Sequence, residues 1–304
     1  MPTGTADPYA TLAQRLGGRL TRRWTLHGGV SAKVQALELI LPDGTAERVV
    51  VRQHGAASWK PLEAGVTSTE YALLEVLADA ALPVPRPRLC DLSGLVLPAP
   101  YLVLPFIDGA KEPHSLSLGL ERMADFLARL HGLEVEALAL PETLPRRDDP
   151  VPELLEYLPA GLEALRHLLK KPGAGQKPRS KGSVLHGDFW PGNILWQEDQ
   201  IAAVLDWEDA AVGDPLSDLA GSRVELMCAY GESAMEAFTA HYLRARGQAV
   251  DPEQLALWEI LVSAAALTFM DRWGLEPQLE AARRSKTQVF LERAAAVLMR
   301  RDGH

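Results

Sequence analysis

The sequence predicts an α+β fold, with a small antiparallel sheet in residues 1–105 and mostly helices in residues 106–304. Three observations carry this. Two runs rich in β-branched and apolar residues flank Pro42-Asp43-Gly44-Thr45, the pattern of a hairpin. From Leu118 onward, apolar residues recur mainly at helical spacing. Near the middle of the chain, Val184-Leu185 and Ile201 to Leu205 form two short apolar runs, each leading to a carboxylate beside a tight loop.

In chain order, Leu12, Leu16 and Leu20 predict a short helix over 9–20. Trp24-Thr25-Leu26 reads as a strand entering the turn Gly28-Gly29-Val30-Ser31. That turn is a candidate phosphate loop, because glycines let backbone N–H groups approach phosphate oxygens; a plain hairpin has the same signature. Val34 to Leu41 and Glu47 to His54 are the next strands, the second carrying Arg52. Residues 67–82 predict a helix capped by Thr67 or Ser68, with Leu73, Leu74, Leu77 and Ala81 as its apolar positions and Glu70 in its first turn. Pro83-Val84-Pro85-Arg86-Pro87 runs extended. Leu89-Cys90 and Tyr101 to Leu104 complete the sheet, and Pro105 to Gly109 is the hinge, with the domain boundary after residue 105.

The second domain predicts a helix over 118–130 ended by Gly132, and another over 152–170. A basic loop follows over 171–183, and further helices span about 215–230, 232–246, 252–273 and 277–300. Trp258, Phe269, Trp273 and Phe290 are expected in the core, while Glu225, Glu259 and Asp271 are candidates for lining a pocket.

The formal net charge of -9 argues against a nucleic-acid backbone as partner. The charge is uneven. Residues 1–105 hold 10 basic and 9 acidic side chains, and residues 106–304 hold 21 basic and 31 acidic. The second domain is thus either simply a solvated acidic surface or one that attracts a cationic small molecule. Cys90 and Cys228 are too few for a disulfide framework and are expected to be reduced and buried. The apolar stretch Ile260 to Met270 is short for a bilayer span and suits a buried helix. With no signal-peptide pattern at Met1, a cytoplasmic protein without membrane partners is expected.

The chemistry-bearing stretch is His186-Gly187-Asp188-Phe189-Trp190-Pro191-Gly192-Asn193, then Val204-Leu205-Asp206-Trp207-Glu208. A single Gly-Asp pair is ordinarily a turn, and Asp206 alone reads as a strand-end cap. Together they are more specific. The spacing from Asp188 to Asn193 is the one by which kinase catalytic loops set a proton acceptor beside a metal ligand. An Asn carbonyl and the Asp206 carboxylate suit a hard cation such as Mg²⁺. His186 is either a general base or, the favoured reading, the side chain that holds the loop.

These two segments resemble the aminoglycoside phosphotransferase family, small-molecule kinases related to choline kinases and more distantly to protein kinases. The resemblance implies a bilobal, protein-kinase-like fold, ATP (or GTP) and Mg²⁺ as cofactors, and O-phosphorylation of a small-molecule hydroxyl. It implies Asp188 as the catalytic base, Asn193 and Asp206 as metal ligands, and Asp218 as a brace for the loop. It also implies that Gly28, Gly29 and Ser31 meet phosphate, and that the Pro105 carbonyl and Ile107 N–H read adenine. Arg52 stands where kinases carry Lys, and its implied partner is Glu70. Because of that Arg, a nucleotide-binding pseudokinase without transfer activity remains an alternative. A metal-dependent hydrolase built on His186 and Asp188 would need further ligands at short spacing, which the sequence lacks, and a binding protein without catalysis would not turn nucleotide over.

Overall fold

The computed structural model describes residues 7–26, 32–55, 65–171 and 182–300. The chain divides into two compact units, Met1–Asp108 and Gly109–His304. The candidate phosphate loop Gly28, Gly29 and Ser31 lies outside the described residues.

In the first unit, helix α1 (Pro8–Arg15) is followed by strands β1 (Arg19–Leu26), β2 (Lys33–Ile40) and β3 (Ala46–Gln53). Helix α2 (Val66–Asp79) and strands β4 (Leu89–Asp91) and β5 (Tyr101–Pro105) complete it. The sheet has the order β1-β2-β3-β5-β4 with every neighbour antiparallel. Tyr9, Leu12, Ala13 and Leu16 cover one face, against Leu37, Leu39, Val49, Val51, Tyr101 and Val103. The expected helix over 9–20 stops early, at Arg15, because Gly17 takes a left-handed φ of 84° and Leu20 already pairs with Leu39 in the sheet. The α2 cap also differs from expectation. Gly65 occupies the cap position with a φ of 92°, and the Ser68 hydroxyl donates to the Gly65 carbonyl at 2.9 Å instead of capping an N–H. Alternation along β3 puts Val49 and Val51 on the α1 side and Arg52 on the opposite one.

The second unit contains α3 (Leu116–His131), β6 (Arg146–Arg147), α4 (Val151–Tyr157), α5 (Glu163–Leu169), β7 (Ser183–Leu185), β8 (Ile194–Gln197), β9 (Gln200–Val204) and β10 (Ala211–Gly213). Helices α6 (Leu216–Tyr230), α7 (Glu232–Arg246), α8 (Pro252–Phe269) and α9 (Pro277–Met299) follow. Strands β8 and β9 form a hairpin, and β7 and β6 flank β10. The single helix expected over 152–170 is two short ones, parted at Pro159 and at Gly161, whose φ is 95°.

The core of this unit gathers Leu154, Leu165, Trp258, Ile260, Ala264, Leu291 and Leu298. Of the four aromatics expected inside, Trp258 and Phe290 are buried, whereas Phe269 and Trp273 are half-buried. Residues Pro252–Arg272 form a segment of 21 residues, longer than its apolar stretch suggested, and long and apolar enough to cross a membrane by length and composition alone. Half of its apolar window is buried in the protein's own core. Cys90 and Cys228 are free thiols, each half-buried rather than buried as expected.

Candidate active site

The site loop leaves β7 with His186, whose side chain is fully buried. Its Nε2 donates to the Leu205 carbonyl at 2.9 Å, and its Nδ1 accepts the Asp188 N–H at 3.2 Å. Both ring nitrogens are therefore engaged. That leaves no lone pair for general-base work and makes His186 the tie between the 186–188 loop and the end of β9. The imidazole also lies 4.4 Å from the Trp207 ring, centroid to centroid.

Gly187 is a position where both backbone conformation and space require glycine. Its φ is 86°, and an added Cβ would stand 2.0 Å from the Asp209 carbonyl oxygen. The loop thus passes against the backbone just beyond Asp206, which brings three carboxylates into one region. Asp206 itself has a φ of 66°, uncommon for a non-glycine residue. It is held between Leu205, whose N–H donates to the Asn193 carbonyl at 2.8 Å, and Trp207, whose indole N–H donates to the Val204 carbonyl at 3.0 Å.

Pro191-Gly192-Asn193 form a single 3₁₀ turn started by the proline. The turn swings the Asn193 amide back onto Asp188. Its Nδ2 donates at 2.9 Å to both the Asp188 carbonyl and the Asp188 Oδ2. The two acceptors fix the amide orientation, so the Asn193 carbonyl oxygen points elsewhere.

Asp188 is open to solvent. The surrounding protein, followed by the charges of Glu225, Asp209 and Asp206, nevertheless pushes its carboxyl up to about 7. Asp218 behaves in the opposite way. It is buried at 3% exposure, and burial alone would raise it. The hydrogen bond from His131, with that from the His186 backbone N–H, outweighs burial and holds it below the usual carboxylate range. Its Oδ2 accepts the His186 N–H at 2.7 Å and lies 3.2 Å from His131 Nε2, while its Oδ1 accepts the Gly187 N–H at 2.8 Å. His131 Nδ1 lies 2.7 Å from the Tyr242 hydroxyl. A tyrosine O–H donating to Nδ1 leaves Nε2–H to donate to Asp218. His131 and Tyr242 were not anticipated from the sequence. The available signal is that His131 falls four residues after Leu127, on the apolar face of α3, where a buried polar group needs partners.

In the first unit, Arg52 Nη1 lies 2.6 Å from each carboxylate oxygen of Glu70. Both side chains are buried, at 8% and 2% exposure. His54, also unanticipated, joins them. Its Nε2 is 2.6 Å from Glu70 Oε2 and its Nδ1 is 3.0 Å from Thr67 Oγ1. Arg52 lies near the end of β3 and His54 just past it, and both reach the same Glu70 carboxylate. Pro105 ends β5 opposite Val49, and the next N–H, of Phe106, donates to the Arg48 carbonyl at 3.1 Å, with Ile107 just beyond. Of the acids proposed to line a pocket, Glu259 is buried against Arg223, Asp271 is exposed, and Glu225 pairs with Arg283.

No group of three or more His, Cys, Asp or Glu among the described residues is placed to hold a metal alone. That donor set still suits Mg²⁺ in phosphoryl transfer, which takes one or two carboxylates and completes its shell with phosphate oxygens and water. Beyond the effect of the surrounding protein, the charges of Glu225, Asp209 and Asp206 also raise Asp188, and a cation would relieve that part.

An antiparallel-sheet unit, a largely helical unit and a loop carrying this acid–amide pair define a kinase-like fold. A solved aminoglycoside phosphotransferase, a thermostable mutant in ternary complex with AMP-PNP and hygromycin B, shares the fold with a TM-score of 0.64, 16% identity and coverage of 96% of this chain and 99% of that one. The model of the phosphotransferase enzyme family (APH) matches residues 28–258, and the chain belongs to that family. Acyl-CoA dehydrogenase family member 10 of Mus musculus is 25% identical over 195 residues, 58% of this chain and 18% of that protein. Homoserine kinase of Methylocella silvestris is 28% identical over 172 residues, 53% of each. The chain thus spans about half or less of the length of these curated relatives.

Two predictions follow from the local geometry. Gly187→Ala combines a left-handed backbone with a backbone clash, and should cost at least about 2 kcal/mol of stability; chemical denaturation of the variant measures it. A carboxyl whose folded pKa is raised costs stability wherever the unfolded carboxyl has ionised, so the cost is small near pH 4, grows as pH rises from about 4 to about 7, and is constant above that. Asp188→Asn should therefore change the melting temperature little near pH 4 and raise it at pH 8. The gain should be of the order of 1 kcal/mol, because solvent screens part of the repulsion.

Proposed function

We propose that the chain is an ATP-dependent O-phosphotransferase that moves the γ-phosphoryl group to a hydroxyl of a small molecule. The observation that carries this reading is the Asp188–Asn193 contact beside Asp206, with Asp188 raised toward neutrality. A base with a pKa near the working pH is well matched to removing a hydroxyl proton. The AMP-PNP complex of a protein with the same fold supports the choice of nucleotide.

In this reading the acceptor hydroxyl hydrogen-bonds to Asp188 and attacks the γ-phosphorus in line. The new bond is acceptor oxygen to γ-phosphorus. The bond that breaks joins the γ-phosphorus to the β–γ bridging oxygen, which leaves on ADP with the electron pair. The acceptor proton passes to Asp188. Asn193 restrains Asp188 through its Nδ2, and its carbonyl oxygen together with the Asp206 carboxylate would hold Mg²⁺. Bound there, the metal supplies charge neutralisation at the phosphates. Asp218 positions the loop through its backbone N–H groups. Arg52 is assigned to the nucleotide phosphates with Glu70 aiming it, and Pro105 and Ile107 supply backbone contacts to adenine.

Asp188→Asn should lower turnover by roughly 100-fold or more while changing ATP affinity little, as read from steady-state kinetics beside calorimetric titration. Equal losses in both would contradict the assigned role. Asp206→Asn should weaken Mg²⁺-ATP more than metal-free ATP in the same titrations. Arg52→Ala should reduce turnover strongly and Glu70→Ala less. The double variant should be no worse than Arg52→Ala, because the two act as a unit; additive losses would show independent roles. Arg52→Lys should retain part of the activity.

A further inference from the structure

Helix α6 lays one face along the site loop. Asp218 takes the N–H groups of His186 and Gly187, and Ser222, one turn on, donates to the Phe189 carbonyl at 2.8 Å. Glu225 falls next on the same face. The stripe emerges from the core there, since Ser222 is fully buried and the Glu225 side chain is 17% exposed.

Helix α9 brings Arg283 to this point, where its Nη2 donates to Glu225 Oε2. The arrangement is fastened at the end of α6, where Lys286 Nζ donates to the Cys228 carbonyl at 2.8 Å and Thr287 Oγ1 lies 3.6 Å from Cys228 Sγ. The guanidinium lies over the Trp273 ring, 5.3 Å from its centroid. The Nε and Nη1 of Arg283 make no hydrogen bond among the described residues. Arg283 and Glu225 each interact electrostatically with Asp188.

We propose that Arg283, shelved on Trp273 and tethered by Glu225, recognises the acceptor, and that it takes the carboxylate of a hydroxy acid, hydroxy amino acids included. The proposal rests on the phosphotransferase reading above. The expectation of a cationic acceptor came from the acidic balance of residues 106–304, and the side chains whose charges reach Asp188 are more specific. A cationic group would find Glu225 already neutralised and the Trp273 face already covered by a guanidinium. A planar carboxylate instead meets a largely desolvated guanidinium with N–H donors still unused, a match in both charge and geometry.

The test uses the full chain with Mg²⁺-ATP and four acceptor classes: hydroxy acids (γ-hydroxybutyrate, homoserine), amino alcohols (ethanolamine, choline), glycerol, and an aminoglycoside. Transfer is expected to the carboxylate-bearing compounds. Arg283→Gln should raise their KM at least roughly tenfold, the loss of one charge-assisted hydrogen bond, and move the KM for ATP less. Arg283→Lys should recover part of the loss. Glu225→Gln should lower the acceptor KM by releasing the guanidinium; if it raises KM as much as Arg283→Gln does, the pair is merely structural and the inference is overturned. Transfer confined to acceptors without a carboxylate, or an acceptor KM unmoved in Arg283→Gln, overturns the inference and leaves the phosphotransferase reading standing. Absence of transfer to every hydroxy acid also overturns it. If Asp188→Asn then leaves Mg²⁺-dependent ATP hydrolysis unchanged as well, the phosphotransferase reading falls with it.

Discussion

The buried Asp218 carboxylate is the constraint on which the site depends. Three N–H groups converge on it, two from the backbone of the 186–187 loop and one from His131. A carboxylate taken fully out of water is costly unless hydrogen bonds replace its hydration. Here the replacement comes from three elements: β7 and its loop, α3 through His131, and α7 through the Tyr242 hydroxyl on the same imidazole. Loop geometry is therefore tied to the packing of helices rather than to the loop's own preferences. Asp188 sits one residue beyond the braced amides and is open to solvent on one side, yet the surrounding protein is the first cause of its raised carboxyl.

The two aspartates show how one short stretch produces opposite electrostatics. Asp218 gathers donors and is held low, whereas Asp188 is raised by the surrounding protein and then by neighbouring carboxylates. The separation follows from Gly187, which lets the loop approach the Asp209 backbone more closely than any side chain would allow. The raised acid is destabilising in the free protein and well suited to accepting a proton, a conflict between stability and function common at active sites.

In the first unit, the Arg52–Glu70 pair shows what a buried ion pair requires. Such a pair repays its desolvation only when further hydrogen bonds satisfy the remaining valences. His54 and Thr67 supply them, forming a chain from β3 to the first turns of α2. The network fixes a cation on the sheet face opposite the α1 core, so fold and charge placement are settled by the same strand alternation.

Much of the fold was legible in the sequence, because strands and helices announce themselves by period. The hairpin around Pro42 to Thr45, the helices ending near Tyr230 and Arg246, and the long C-terminal helix stand close to where the residues predicted them. The misses have local causes: a left-handed Gly17 ended α1 early, Gly161 divided a Leu-rich helix, and the strands Arg146–Arg147 and Ala211–Gly213 were too short to show a period. The Asp188, Asn193 and Asp206 spacing was also in the sequence, as was the Arg52–Glu70 expectation through family resemblance. What only the tertiary structure decided was which polar side chains lie together across large separations. His131 and Asp218 are 87 residues apart, and Glu225 and Arg283 are 58 apart. Spacing reports contacts within one helix or strand, where backbone geometry is periodic. Contacts between elements depend on how the buried faces pack, and no local pattern encodes that.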